Sequence, residues 1–288
     1  MKLLEVTAVL CVRNSEAYLQ RCLNGLARNG VDRVIVVDGL STDSTTDIAL
    51  SAGCVVLSDE GRGFVAARRM GVEAATSEFV LILGPDDWIM DGAVQCLLDY
   101  LQIHTDAAAA QCSKFVQVNN STYFDRGMNF YYSQVTLGPV PVVGTPSLYR
   151  RQLLIEFPYD ILLPSNDDTD WCYQVAGRGF HVARVQQALS CEIESFDFRS
   201  FRRRWVWYGR GDFELMRRGF EGSRRRRLRH LFHPAREYGG RLVLLSFRRR
   251  KFQYVPYFLM CMTFRYEGFI RGLLSAVRGS HRPLLVGR

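Results

Sequence analysis

The chain has no C-x-x-C pair. Its eight cysteines (Cys11, Cys22, Cys54, Cys96, Cys112, Cys172, Cys191 and Cys261) are scattered without metal-ligand spacing, which argues against a zinc site or a disulfide framework. They read as small core residues in a reducing cytosol. Long apolar runs are missing too. The longest charge-free stretch near the C-terminus, Phe252 to Phe264, has 13 residues and contains Pro256, short of the roughly 18 to 20 that span a bilayer. Glu5 interrupts the opening after Leu3 and Leu4, so no secretory signal is expected. No internal repeat or low-complexity linker precedes an Arg-rich tail.

What is present is a globular composition, 48% hydrophobic and 23% charged over 288 residues, enough for one large α/β domain and an appendage. The net charge of +8 conceals an asymmetry. From Arg199 onward 23 Lys/Arg face 5 Asp/Glu, whereas residues 1–198 hold 14 against 24. Two parts with such different fields are expected to do different jobs, so the chain divides at 1–198 and 199–288.

The first part alternates strand and helix signals. Val6 to Val12 is a near-continuous apolar run of the kind buried on both faces of a parallel sheet, and an amphipathic segment, Ser15 to Ala27, follows. Asp32 to Asp38 repeats the strand pattern, and Ser41-Thr42-Asp43-Ser44 offers caps for a helix from Thr45 to Ala52. A strand at Cys54 to Leu57, a helix from Gly63 to Ala75 and a strand from Phe79 to Leu83 complete the series. The period argues a doubly wound, mostly parallel sheet. Beyond it the pattern predicts a helix over Ala93 to Ile103, a strand over Ala109 to Val118, a turn-rich stretch to Thr145, and a helix opened by Asn166-Asp167-Asp168-Thr169-Asp170.

Ligands of such sheets bind beyond the carboxyl ends of the strands, where several polar residues fall. Asp86 and Asp87 follow Gly84-Pro85 at the end of an apolar strand. Paired carboxylates there suit a hard divalent cation shared with substrate phosphates, or else cap the next helix. Asp38 either accepts hydrogen bonds from a base or ribose or caps its own helix; Asn14, Ser15 and Glu16 are similarly ambiguous. Gly61-Arg62-Gly63, with Arg68 and Arg69 after it, puts flexible backbone and positive charge at a helix start, fit for a diphosphate or simply solvated. Three acids within Asp167 to Asp170 raise one another's pKa, which is useful in a general base, or are favoured by the helix dipole.

Together these residues resemble the inverting glycosyltransferases of family 2, which have the GT-A fold. Val9 to Leu19 is similar to that family's opening strand and its N-x-E-x-x-L turn, and Val36 to Thr45 to its V-D-(G/D)-x-S-x-D-x-T segment. Ala66 to Gly71 is similar to the A-R-N-x-G helix; Leu83 to Asp87 falls at the D-x-D motif, and Asp167 to Trp171 at E-D-x-D-L. The match runs in order over about residues 5 to 185. It implies a nucleotide diphosphate sugar as donor, with contacts at Val12, Asn14, Glu16, Asp38, Arg62, Gly63, Arg68, Arg69 and Asp87. Asp38 would meet uracil or thymine, Asp86 would hold Mg²⁺ or Mn²⁺, with Asp87 beside it, and Asp168 would be the catalytic base. Two departures matter. Gly84 replaces the first Asp of D-x-D, and Cys191 and Glu192 lie near the family's late His, so that contact is either missing or left to Glu192 or Glu194.

The segment Phe201 to Trp205 is similar to the Q-x-x-R-W of processive members, but Phe201 stands in place of Gln, so processivity is not carried over. Arg224 to Arg227 and Arg248-Arg249-Arg250-Lys251 are basic clusters, the second beside apolar stretches, a pairing suited to anionic head groups. The expected partners are the donor, a glycan or lipid-linked acceptor and an anionic membrane surface on its cytoplasmic face, with no nucleic acid. A sugar nucleotidylyltransferase is disfavoured because Arg13-Asn14-Ser15-Glu16 stand where it would need a glycine-rich phosphate loop. A non-catalytic binder of membrane or nucleic acid on the same scaffold is disfavoured by the retained Asp38, Asp86 and Asp168.

Overall fold

The computed structural model describes residues 6–116, 122–192, 195–218 and 230–277. The apolar run forms β1 (Val6–Val12), flanked in parallel by β2 (Arg33–Asp38) and β4 (Phe79–Leu83), with β3 (Val55–Ser58) outside β2. Between them run α1 (Glu16–Arg28), α2 (Thr45–Ser51) and α3 (Phe64–Ala74). Successive strand residues point to opposite faces, and the core divides accordingly. Ala8, Leu10, Leu81 and Leu83 pack with α1 and with α4 (Ala93–Ile103), while Val9, Val37, Val80 and Ile82 pack with Val65 and Val72 of α3. Each fully buried Val or Leu contributes about 1.5–3 kcal/mol, so both layers are fixed by this alternation.

The remaining strands are β5 (Asp87–Ile89), β6 (Ala107–Val116), β7 (Gly138–Val140), β8 (Ser147–Arg150) and β9 (His181–Glu192). The order across the sheet is β3-β2-β1-β4-β8-β6-β9-β5, with β7 paired to β9. Strand β8 is antiparallel to β4 and β6, and β5 and β7 are antiparallel to β9. The mostly parallel α/β sheet expected from the sequence is thus present, with an antiparallel admixture at its second half. Two short helices, α6 (Arg151–Glu156) and α7 (Asp167–Ala176), follow β8.

The stretch read as turn-rich contains a helix, α5 (Tyr123–Tyr132). Thr122 accepts a bond from the Asp125 amide while Asp125 accepts one from the Thr122 amide, closing a capping box.

The described residues after 198 dock on this core. Helix α8 (Phe198–Arg218) is crossed by α10 (Val255–Val277), and α9 (Leu242–Arg248), entered through a π-helical turn at Ala235–Arg241, packs beside them. Phe201, Trp205, Tyr238, Tyr257 and Phe258 form their shared aromatic core with Met128 of α5. Gly209 and Gly268 make the crossing close: a Cβ on Gly209 would collide with the Arg265 carbonyl, and one on Gly268 with that of Val206. Arg248, Arg249, Arg250 and Lys251 lie exposed at the α9–α10 turn between the exposed Phe247 and Phe252. The other basic cluster, Arg224 to Arg227, lies outside the described residues, as does Glu194. Among the described residues no helix is long and apolar enough to cross a membrane.

Candidate functional site

A cavity of about 1940 Å³ opens where β1 and β4 end, walled on its far side by residues after 198. At the first two strand ends, Val12 pairs with Asp38 and accepts a bond from the Gly39 amide at 2.8 Å. Val12 and Asn14 line the cavity. Asn14 takes left-handed backbone (φ 49°), and its side-chain oxygen accepts from the Thr42 amide at 2.8 Å. Glu16 accepts from the Ser44 amide at 3.0 Å and does not line the cavity. Asn14 and Glu16 therefore stitch the loop after β1 to the loop after β2. Asp38 is buried behind Val37, Gly39 and Leu40, which do line the cavity, and accepts from the Ser41 amide at 3.0 Å.

Asp59, which the sequence reading passed over, lies at the end of β3 and lines the cavity. Its carboxylate accepts from the Gly61 and Gly63 amides at 2.8 and 3.1 Å, shaping the turn into α3. The D-x-G-x-G spacing of Asp59, Gly61 and Gly63 is the signal that was available. Arg62 and Gly63 line the cavity there. Arg68 and Arg69 part company. Arg68 is buried and donates to Asp167 at 2.5 Å, its guanidinium over the Phe64 ring. Arg69 points away from the cavity and pairs with Glu73 at 2.8 Å on the exposed face of α3.

The turn after β4 is a small cradle. A Cβ on Gly84 would lie 2.5 Å from Asp86 Oδ1 and 3.3 Å from Asp87 Oδ2, so glycine there makes room for the two carboxylates. Asp86 is buried and lines the cavity. Asp87 is engaged at both oxygens: Oδ1 meets Lys114 Nζ at 2.7 Å and Oδ2 accepts from the Gly84 amide at 3.0 Å. Lys114 also faces Glu192 at 3.6 Å, and Glu192 accepts from Tyr132 at 2.8 Å and pairs with Arg204 of α8. Glu192 is thus a buried link between the Asp86 turn and the C-terminal helices. Among the described residues no three ligating side chains cluster. Asp86 fits an ion held mainly by phosphate oxygens and water, the usual mode of Mg²⁺, and Asp87 fits as its support.

Asp168 lines the cavity beside Asp167. Burial, then the Asp167 charge, push its carboxyl up to about 6, with the Arg68 guanidinium pulling the other way. Its oxygen accepts from the Thr169 amide at 2.7 Å. Helix α7 starts from Asn166, in left-handed backbone (φ 63°), whose side-chain Nδ2 donates to Asp212 of α8 at 2.8 Å. Asp212 in turn pairs with Arg265 of α10 and with His230 at 2.9 Å. Those charges hold the Asp212 carboxyl well below its ordinary value against its burial.

The structure therefore brings Val12, Asn14, Arg62, Gly63, Arg68, Asp86, Asp87 and Asp168 to one cavity, keeps Asp38 just behind it, and leaves Glu16 and Arg69 outside. Comparison with known proteins agrees with this fold. A mannosyltransferase of Pyrobaculum calidifontis in complex with GDP-Man and Mn²⁺ superposes with TM-score 0.66 at 15% identity, over 93% of this chain and 87% of that one. Residues 1–349 of S. aureus TarS in complex with UDP give TM-score 0.55 at 15% identity, over 96% and 92%. In sequence, EpsH of Bacillus subtilis, described as a glycosyltransferase, is 29% identical over 164 residues, 52% of this chain and 48% of EpsH. The glycosyltransferase AglE of Haloferax volcanii is 23% identical over 205 residues, 65% of this chain and 66% of AglE. The chain thus spans about half the length of the first of these relatives. Residues 7–157, more than half of the chain, match the model of glycosyl transferase family 2, and the protein belongs to that family.

Proposed function

We propose that the protein is an inverting glycosyltransferase that moves a sugar from a UDP- or dTDP-sugar to an acceptor hydroxyl with the help of Mg²⁺ or Mn²⁺. The observation that carries the reading is Asp168, a carboxyl held near neutrality on the wall of the cavity that also contains the Asp86 turn. As the acceptor oxygen bonds to the anomeric carbon, the bond from that carbon to the diphosphate breaks on the opposite side and the hydroxyl proton passes to Asp168. One displacement inverts the configuration. The Arg68 guanidinium pairs with Asp167, and burial together with the Asp167 charge opposes loss of the Asp168 proton until a pH close to 6 is reached. Asp86 would hold the cation, which supplies charge neutralisation to the departing diphosphate. Mn²⁺ and UDP in the structural neighbours support that choice of cation and donor class.

Residues 199–288 act as a second functional region that closes the acceptor side and rests on an anionic membrane, from which a glycan or lipid-linked acceptor is presented on the cytoplasmic face. The exposed Arg248–Lys251 cluster between Phe247 and Phe252 supports this. The decisive experiment compares Asp168→Asn with wild type for donor binding by calorimetry and for turnover. Retained donor affinity with turnover reduced about 10²-fold or more is expected of a lost base; near wild-type turnover moves the base elsewhere.

A further inference from the structure

The cavity exceeds what a nucleotide sugar needs. Small-molecule pockets run to about 300–1,000 Å³, whereas this one encloses about 1940 Å³ and continues past the Asp86 turn onto β6, β9, α5 and the helices after residue 198. Arginine greatly outnumbers acid on that wall. Several of these cations are neutralised within the protein: Arg204 by Glu192, Arg265 by Asp212, Arg217 by Glu214 and Arg241 by Glu237. Arg184 differs. It stands on β9, donating from Nε to Gln111 Oε1 at 3.0 Å and from Nη1 to the Thr136 carbonyl at 2.6 Å. Both acceptors are neutral, and burial pulls the guanidinium below its ordinary pKa, with Tyr131 and Tyr132 acting against it.

Gln111 links this cation to the opening that the base borders. A Cβ on Gly144 would lie 3.6 Å from Gln111 Nε2 and 3.4 Å from Asp168 Oδ2, so the amide and the carboxylate border one opening that glycine keeps clear. Gln111 precedes Lys114, the residue that anchors the metal turn, by three positions of β6, about 10 Å along a strand. The side of the cavity marked by the base is the acceptor's side, since the base takes the acceptor's proton. We propose that Arg184 binds a phosphate ester carried by the acceptor, steered in by the surrounding arginine-rich wall. The inference rests on the transferase reading above for which side is the acceptor's. A guanidinium fork suits a phosphate oxygen pair, and the excess of positive charge suits a multiply charged anion.

The test uses the full chain saturated with UDP and Mn²⁺, titrated calorimetrically with geranyl diphosphate, glycerol 3-phosphate and geraniol. Wild type is expected to bind at least one phosphate probe and to bind geraniol far more weakly. Arg184→Gln should weaken that phosphate binding about tenfold or more, as expected for loss of a charge-assisted bond, while leaving UDP affinity unchanged. Arg184→Lys, which keeps the charge, should fall between and serves if the glutamine variant melts early. Binding of geranyl diphosphate alone identifies a lipid diphosphate as the source; equal response to glycerol 3-phosphate identifies the phosphate ester itself. The proposal is overturned if neither phosphate probe binds wild type, if Arg184→Gln binds them unchanged, or if it weakens UDP to the same degree. Failure of UDP to bind wild type counts against the transferase reading instead, and the same titrations without UDP then read Arg184 by itself.

Discussion

Asp168 is ionised only above about pH 6, because burial and Asp167 disfavour its charge. Turnover is therefore expected to fall about tenfold per unit as pH drops below 6, provided proton transfer limits the rate, and a pH–rate profile checks it. The sign for stability is the reverse. A carboxyl whose folded pKa exceeds its unfolded one gives its contribution to stability below the unfolded value and loses it as pH rises through 6. Asp168→Asn should consequently melt no lower than wild type at pH 8, so that loss of activity there is not loss of fold. At Asp86 the expectation is different. Asp86→Ala should remove the divalent-cation dependence of donor binding in calorimetry, since a bare diphosphate near the acids of this turn is repelled; unchanged affinity in chelator would sink the cation assignment. These acids were legible in the sequence because each sits where an apolar strand or a helix begins or ends. Their supports were not. Arg68 and Asp167 are 99 residues apart, and the Asp87–Lys114–Glu192–Arg204 link joins strands to a helix that no local pattern connects.

At the scale of elements, β1 to β4 and α4 follow the sequence periodicity to within a residue or two, because burial on both sides of a parallel sheet writes itself as continuous apolar runs. Helix α5 escaped that logic. Tyr123–Tyr132 is aromatic with a glycine inside, and Gly127 acquires its purpose only where the Tyr257 ring lies against it. The crossing of α8 and α10 was illegible for the same reason, as Gly209 and Gly268 are small without local cause. Gly209→Ala should cost about 2 kcal/mol, since overpacking of a closed contact typically costs 1–3, while helix propensity alone would favour alanine. Chemical denaturation decides between the two effects, and a stabilised variant would mean that the helices are not held this close.

For the whole molecule the charge asymmetry was plain in the sequence, and the fold turns it into a surface. If Arg248, Arg249, Arg250 and Lys251 hold the protein on anionic lipid, each contributes about 1 kcal/mol near the surface. Replacing all four with Gln should release it from phosphatidylserine vesicles in flotation, and raised salt should do the same by screening. Soluble acceptors should still be glycosylated. Wild-type protein that ignores such vesicles at low salt, or that prefers nucleic acid in filter binding, would refute the membrane contact. The pinning of Asn166 by Asp212 and Arg265 also has a temporal side. Arg265 emerges from the ribosome nearly a hundred residues after Asp168, an interval of roughly 5–20 seconds at ordinary elongation rates. Throughout it, on the function proposed above, the nascent chain would have the strands of the donor side but no fixed start for the helix that carries Asp168. If Asp168 is the base, catalysis is among the last properties acquired during translation, and a chain stalled before α10 is expected to bind donor in calorimetry without turning it over.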